Sequence, residues 1–146
     1  MFLRAFLLLS AQASTIGSVP SLPRVVGPDQ MPPSMVQELQ RAVRAPQGRL
    51  PVQRLFSPDG YPAGADGRRG TVGLRLLIAP QGSIIGCSIT RSSGSAMLDS
   101  TTCNTVRRRE RYTPALDKDG KPVLGMVDEI VDWDSVFTNV RIVRGN

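Results

Sequence analysis

Cys87 and Cys103 are the only cysteines, and the chain contains no histidine. Those two facts narrow the available chemistry. A tetrahedral zinc site needs four ligands, and two cysteines without histidine cannot complete one unless carboxylates join them. The C-x-x-C spacing of a redox pair is absent. The commonest general base is missing, and no serine or cysteine sits in a nucleophile elbow or other catalytic motif, so no nucleophile–base pair can be assembled. A lysine- or carboxylate-based enzyme has no support in the pattern. The chain therefore reads as a non-enzyme with no cofactor and no metal. Arg107, Arg108, Arg109 and Arg111 could read phosphates, but no aromatics are interleaved among them, and P-loop, RRM and zinc-finger patterns are absent. They read as a solvated helix end, and nucleic acid is not an expected partner. Asp117-Lys118-Asp119-Gly120 opens like a calcium loop, yet the bidentate acid at the loop's end is missing, so a turn is expected there.

The ends and composition bound the context. Met1-Phe2-Leu3-Arg4, the apolar run Ala5–Ala11 and the A-x-A site Ala11-Gln12-Ala13 read as a cleavable secretory signal over 1–13. The run is far shorter than the ~20 residues a membrane-spanning helix needs. A periplasmic, envelope-associated location follows, with only indirect membrane association once the signal is removed. Cleavage takes the formal charge from +6 to +5 through loss of Arg4. A basic exported protein meets lipid head groups, cell-wall polymer and acidic partner surfaces. The remaining chain suits one small domain. With 40% hydrophobic and only 5% aromatic residues, its core must be aliphatic and modest.

The elements that must position these residues follow from periodicity. Residues 14–60 read as a linker or arm, punctuated by Pro20, Pro23, Pro28, Pro32, Pro33, Pro46, Pro51 and Pro58, which exclude regular sheet or a long helix. One short helix is expected at 34–45, with Ser34 as N-cap and Val36, Leu39 and Val43 at helical spacing. The compact domain is expected over 61–134. Val72, Leu74, Leu76 and Ile78 alternate as one face of a half-buried strand. Pro80-Gln81-Gly82 supplies a turn. The strand returns over 83–90 with Ile85, Cys87 and Ile89 on a single face. Ser92-Ser93-Gly94-Ser95 offers caps for a helix near 96–111, where Asp99 and the arginines complement the helix dipole. A third strand is expected over 124–133, with Val127, Val131 and Trp133 on one face and Glu129 unexplained among them. Val136, Val140 and Ile142 point to an edge strand or ordered tail over 135–146. The outcome is an α+β fold: a small antiparallel three- or four-stranded sheet with one helix on a face, in β-β-α-β order.

Cys87 lies on the core face of the returning strand and Cys103 on the helix that should pack there. The two suit a disulfide, which needs Cα atoms about 4.4–6.8 Å apart. A pair of buried reduced thiols is the alternative, and an exported chain favours the bridge. Closing such a loop would stabilise by roughly 3 kcal/mol in the entropic model, a large share of a usual 5–15.

Tyr61-Pro62, Gly70, Val72, Pro80-Gln81-Gly82, Ser92-Ser93-Gly94, Leu98-Asp99, Arg111-Tyr112-Thr113-Pro114-Ala115 and Gly120-Lys121-Pro122-Val123 occur in this order across about half the chain. In that order and spacing they resemble the C-terminal domain of the TonB energy-transducer family. The paired cysteines resemble a subgroup that staples the second strand to the helix. The resemblance implies a domain that grips an extended segment of an outer-membrane TonB-dependent receptor, or another periplasmic peptide segment, by β-augmentation in TonB-dependent transmembrane transport. The gripping edge would be Met126, Val127, Asp128, Glu129, Ile130, Val131, Asp132 and Trp133. The family transmits force through an N-terminal anchor and a long proline-rich spacer. Here the expected signal replaces the anchor, and a spacer of about forty residues reaches at most ~120 Å at ~3.1 Å per residue. An envelope-associated structural or binding module that uses its basic surface without transducing force is the alternative expectation. Open sheet edges also make a homodimer an expected partner state.

Overall fold

Alternating apolar residues and a proline–glycine turn give the chain its central sheet, and prolines shorten the N-terminal elements without keeping them from docking. The computed structural model describes residues 31–138. In chain order these form α1 (Pro33–Gln40), β1 (Gln47–Gly48), β2 (Thr71–Ile78), β3 (Ile84–Arg91), α2 (Ala96–Arg109), β4 (Tyr112–Thr113), β5 (Ala115–Leu116), β6 (Pro122–Val123), β7 (Gly125–Asp132) and α3 (Trp133–Thr138). Short 3₁₀ turns cover Val52–Leu55, Pro58–Gly60 and Ala63–Ala65.

β2 is the centre of an antiparallel sheet in the order β3-β2-β7, and α2 packs on one face of it, an α+β arrangement. Val72, Leu74, Leu76 and Ile78 are each fully buried against Leu98 and Val106 of α2 and Val131 of β7. Removing side chains of this size from water stabilises by roughly 1.5–3 kcal/mol each. Ser95 caps α2 by accepting from Leu98 N, and Asp99 in the first turn accepts from Ser92 Oγ and from Ser93 N and Oγ. Gly82 turns the β2–β3 hairpin with φ +84°, and a Cβ there would lie 2.2 Å from the Tyr112 carbonyl oxygen. Tyr112 N donates to Gly82 O at 3.1 Å, so the hairpin tip and the exit from α2 are joined backbone to backbone.

The expected face of the returning strand is altered by two irregularities. Leu77 pairs with Gly86 and Ile78 with Ile84, which leaves Ile85 as an extra residue. A second extra residue, Thr90, falls between the Gly73–Arg91 and Leu74–Ile89 pairs. An inserted residue shifts the pleat. Ile84 therefore packs against the core and Ile85 is 47% exposed, while Ile89 stays on the face of Leu74 but remains 38% exposed toward the end of the edge strand. Cys87 and Ile89, paired with Leu76 and Leu74, keep the helix-covered face as expected, and only Ile85 of the trio is turned off it.

The N-terminal segment departs further from a free arm. α1 begins at Pro33 with Pro32 as its cap residue, without a side-chain cap from Ser34, and stops at Gln40 instead of continuing to 45. Val43 is 71% exposed, its N–H donating to Leu116 O. Pro46 disfavours helix at Ala45, and the chain instead extends, with Arg44 bridging Leu116 and β1 pairing with β4. Val52 and Leu55 then enter the core, so the packed unit includes residues assigned above to the arm. At the other end, residues 133–138 are helical and not an edge strand. Trp133, Val136 and Phe137 fall at i, i+3 and i+4, and this helical repeat prevails over the even spacing of Val136 with Val140 and Ile142. Val140, Ile142, the expected signal at 1–13 and the first part of the expected linker lie outside the described residues.

Candidate functional site: the outer edge of β7

The segment Gly125–Asp132 pairs with β2 over eight consecutive residues without interruption, from Ile78–Gly125 to Thr71–Asp132. In an antiparallel ladder, alternate residues turn both main-chain groups toward the neighbour and the others turn both away. Trp133 N donates to Gly70 O, which sets the odd-numbered residues inward. Val127, Glu129 and Val131 thus bond to β2 and place their side chains on the helix-covered face. Met126, Asp128, Ile130 and Asp132 turn their main-chain groups outward. At Asp132 both are already engaged: its N–H donates to Gln53 Oε1 and its carbonyl accepts from Gln53 Nε2, each at 2.9 Å. Among the described residues, the outward groups of Met126, Asp128 and Ile130 have no hydrogen-bond partner.

The side chains along this edge have distinct settings. Ile130 is 63% exposed. Asp128 forms a two-pronged pair with Arg75 of β2, Nε to Oδ1 and Nη2 to Oδ2, both at 2.7 Å. That hydrogen bond holds the Asp128 carboxyl below its usual range and pushes the Arg75 guanidinium up. Glu129, unexplained on an apolar face in the sequence, accepts a hydrogen bond from Tyr112 Oη at 3.0 Å. Burial, and then the Glu129 carboxylate, push the Tyr112 hydroxyl well above its usual value, so it remains a donor.

Trp133 does not belong to the edge. It starts α3, is fully buried, and donates from Nε1 to Thr102 Oγ1 at 2.9 Å. Phe56 and Tyr61 meet its ring edge-on, with centroids 5.2 and 5.8 Å away. The strand ends one residue earlier because Asp132 Oδ1 accepts from Asp134 N and Asp132 O from Ser135 Oγ, which turns the chain into a helix. Of the eight residues expected at the edge, the fold brings seven onto β7 and only four of these face outward.

The remaining sites resolve simply. Cys87 and Cys103 are joined, with Cα atoms 6.0 Å apart, and tie β3 to α2. Asp117 closes the β5–β6 turn by accepting from Asp119 N and Lys121 N. The Lys121 backbone N–H leads in holding its carboxyl below the usual range. Arg109 donates to Leu55 O and Arg111 to Glu110 O, while Arg107 and Arg108 are exposed on the last turn of α2. Among the described residues no cluster of His, Cys, Asp or Glu could hold a metal, and no helix is long and apolar enough to cross a membrane. Gln53 had no signal in the sequence beyond its position among prolines, whereas Glu129 on an apolar face called for a polar partner, and Tyr112 supplies it.

A family model described as the Gram-negative bacterial TonB protein C-terminal matches residues 59–134. No curated protein and no solved structure matches the chain. Domains of the matched family are non-enzymatic, work in the cell envelope and interact with outer-membrane receptors. With more than half of its length fitting that model on an α+β fold of the corresponding kind, this chain belongs to the TonB C-terminal family.

Proposed function

We propose that this chain acts in the periplasm by taking an extended segment of an outer-membrane receptor as an additional strand along β7, in TonB-dependent transport. The observation that carries the reading is the row of outward main-chain groups at Met126, Asp128 and Ile130 on an uninterrupted edge strand. Main-chain hydrogen bonds would supply affinity, and the exposed Ile130 side chain would select a neighbour on the incoming strand. Residues 1–13 act as the export signal in this reading, and β-augmentation requires no membrane anchor on the domain itself.

The test uses the full chain and synthetic peptides that tile the N-terminal periplasmic segments of outer-membrane receptors. Ile130→Pro removes one outward N–H that none of the described residues accepts, and proline is tolerated where a strand's N–H faces away from its sheet. The variant is expected to keep the wild-type circular dichroism and lose about tenfold or more in peptide affinity. Unchanged affinity would sink the edge reading. Exposed Arg107 and Arg108 keep a second reading open, in which the basic surface binds anionic envelope polymer. Steep loss of binding with salt, indifferent to peptide sequence, would favour it.

A further inference from the structure

We propose that Gln53 is a strand terminator built into this edge: its side-chain amide occupies the place of an added strand at Asp132, so a partner strand pairs along Met126–Ile130 and no further. The inference rests on the β7 reading and adds to it the length and register of the partner. A primary amide carries a donor and an acceptor side by side, as a peptide group does. Gln53 uses one of each on a single residue, Nε2 on Asp132 O and Oε1 on Asp132 N, both at 2.9 Å. The residue across an antiparallel ladder makes the same exchange of two bonds. Gln53 therefore stands in for one residue of a fourth strand, from a point 79 positions away in the sequence.

Its placement is rigid. Val52 and Leu55, on either side of it in the same 3₁₀ turn, are each only 7% exposed and belong to the core cluster. Arg109 of α2 donates to Leu55 O at 3.1 Å and holds the turn from the other side. An amide on such a base loses little freedom when it bonds. Beyond Asp132 the edge also changes character, since the Asp132 carboxylate accepts from Asp134 N and the chain turns into α3. A partner strand running along β7 would thus meet a satisfied Asp132 and then a helix. Three outward residues remain, Met126, Asp128 and Ile130, enough to pair about five residues of an extended segment, some 16 Å of strand.

The test measures affinity against peptide length with the full chain. Fluorescently labelled receptor-segment peptides are trimmed one residue at a time and titrated against the wild type, Gln53→Ala and Gln53→Met. The methionine variant keeps the bulk of the side chain and removes both hydrogen bonds, which separates pairing from packing. Wild-type affinity is expected to stop rising once about five residues pair. Gln53→Ala should gain a further ~3- to 10-fold from the next residues, as the Asp132 N–H and the carbonyl lone pair not taken by Ser135 Oγ become available, and Gln53→Met, whose side chain still fills the place, should gain less. Equal plateaus in all three proteins, with Ile130→Pro still abolishing binding, would overturn the terminator and leave the edge reading standing. Binding unaffected by Ile130→Pro, or no binding by any peptide, would overturn both.

Discussion

The two edges of the three-stranded sheet have opposite designs. β3 carries two extra residues, Ile85 and Thr90, in a ladder of only six partnered positions, and it is cross-linked to α2 through Cys87. β7 runs beside β2 for eight pairs with no irregularity and has no covalent tie. Bulges twist a strand and interrupt its row of main-chain groups, and proteins use them to blunt edges against unwanted pairing. An unbulged edge is the template that a partner strand needs. The exposed isoleucines Ile85 and Ile89 on the blunted edge are therefore weaker pointers to a partner than Ile130 on the regular one. Exposure alone would have ranked them together.

The largest expected effect falls on the junction that keeps β7 in place. Trp133 follows the strand directly and reaches across to Thr102 of α2 with its indole N–H. Trp133→Ala should cost about 3–5 kcal/mol by leaving a cavity, and it also removes the hydrogen bond that the Thr102 hydroxyl accepts, while that hydroxyl keeps its donation to Leu98 O. Urea unfolding would report it as a lower midpoint at unchanged slope. A loss below about 1 kcal/mol would mean that β7 is held mainly by its ladder with β2, and the contrast between a pinned strand end and a free edge would fail.

The disulfide tests the other edge. Reducing the protein, or replacing both Cys87 and Cys103 by serine, should remove roughly 3 kcal/mol of stability by releasing a short closed loop in the unfolded chain. Peptide affinity at β7, measured well below the midpoint, should stay within about twofold, because the bridge lies on the far strand. A matching loss of affinity would show the two edges to be coupled through the sheet, and the division between a stapled edge and a gripping edge would need revision.

How much of this was legible depends on the range of the interactions. Val72 to Ile78, the Pro80–Gly82 turn, the Ser95 cap and the Cys87–Cys103 pairing are set by neighbours within a few turns of chain, and their residue types declare them. The docking of residues 43–56 is different. Arg44 bridges Leu116, Gly48 pairs with Tyr112, and Arg49 N donates to the buried Glu110 carboxylate, all across more than sixty residues. Proline spacing says where such a segment cannot be regular, and is silent on what it touches. The bulge at Ile85 was hidden for a related reason, because strict alternation is the simplest reading of I-x-C-x-I and a one-residue slip leaves no mark in composition. Gln53 is the extreme case. A lone glutamine among prolines carries no signal until its partner, Asp132, is placed beside it. The edge strand could be anticipated from the family resemblance, but its usable length could not, since that is decided by a side chain from outside the motif.

The smallest effect concerns the open face of the sheet, where Arg75 reaches from β2 to Asp128 on β7. Asp128 is 57% exposed and Arg75 35%, so solvent screens the pair, and Asp128→Asn should cost less than about 1 kcal/mol at neutral pH. The direction with pH follows from the shift. The folded-state carboxyl lies below its usual value, so its contribution is complete above the unfolded value of about 3.9 and is lost as the pH falls through the lower folded one. The stability difference between wild type and Asp128→Asn should accordingly shrink to nothing on acidification and be undiminished at pH 7. Receptor-peptide affinity at pH 7 should change by less than about twofold in this variant, because the outward N–H and C=O of residue 128 are untouched. A tenfold loss would mean that the partner strand is read by the Asp128 carboxylate. Recognition would then depend on charge, and a regular edge would be necessary for binding without being sufficient.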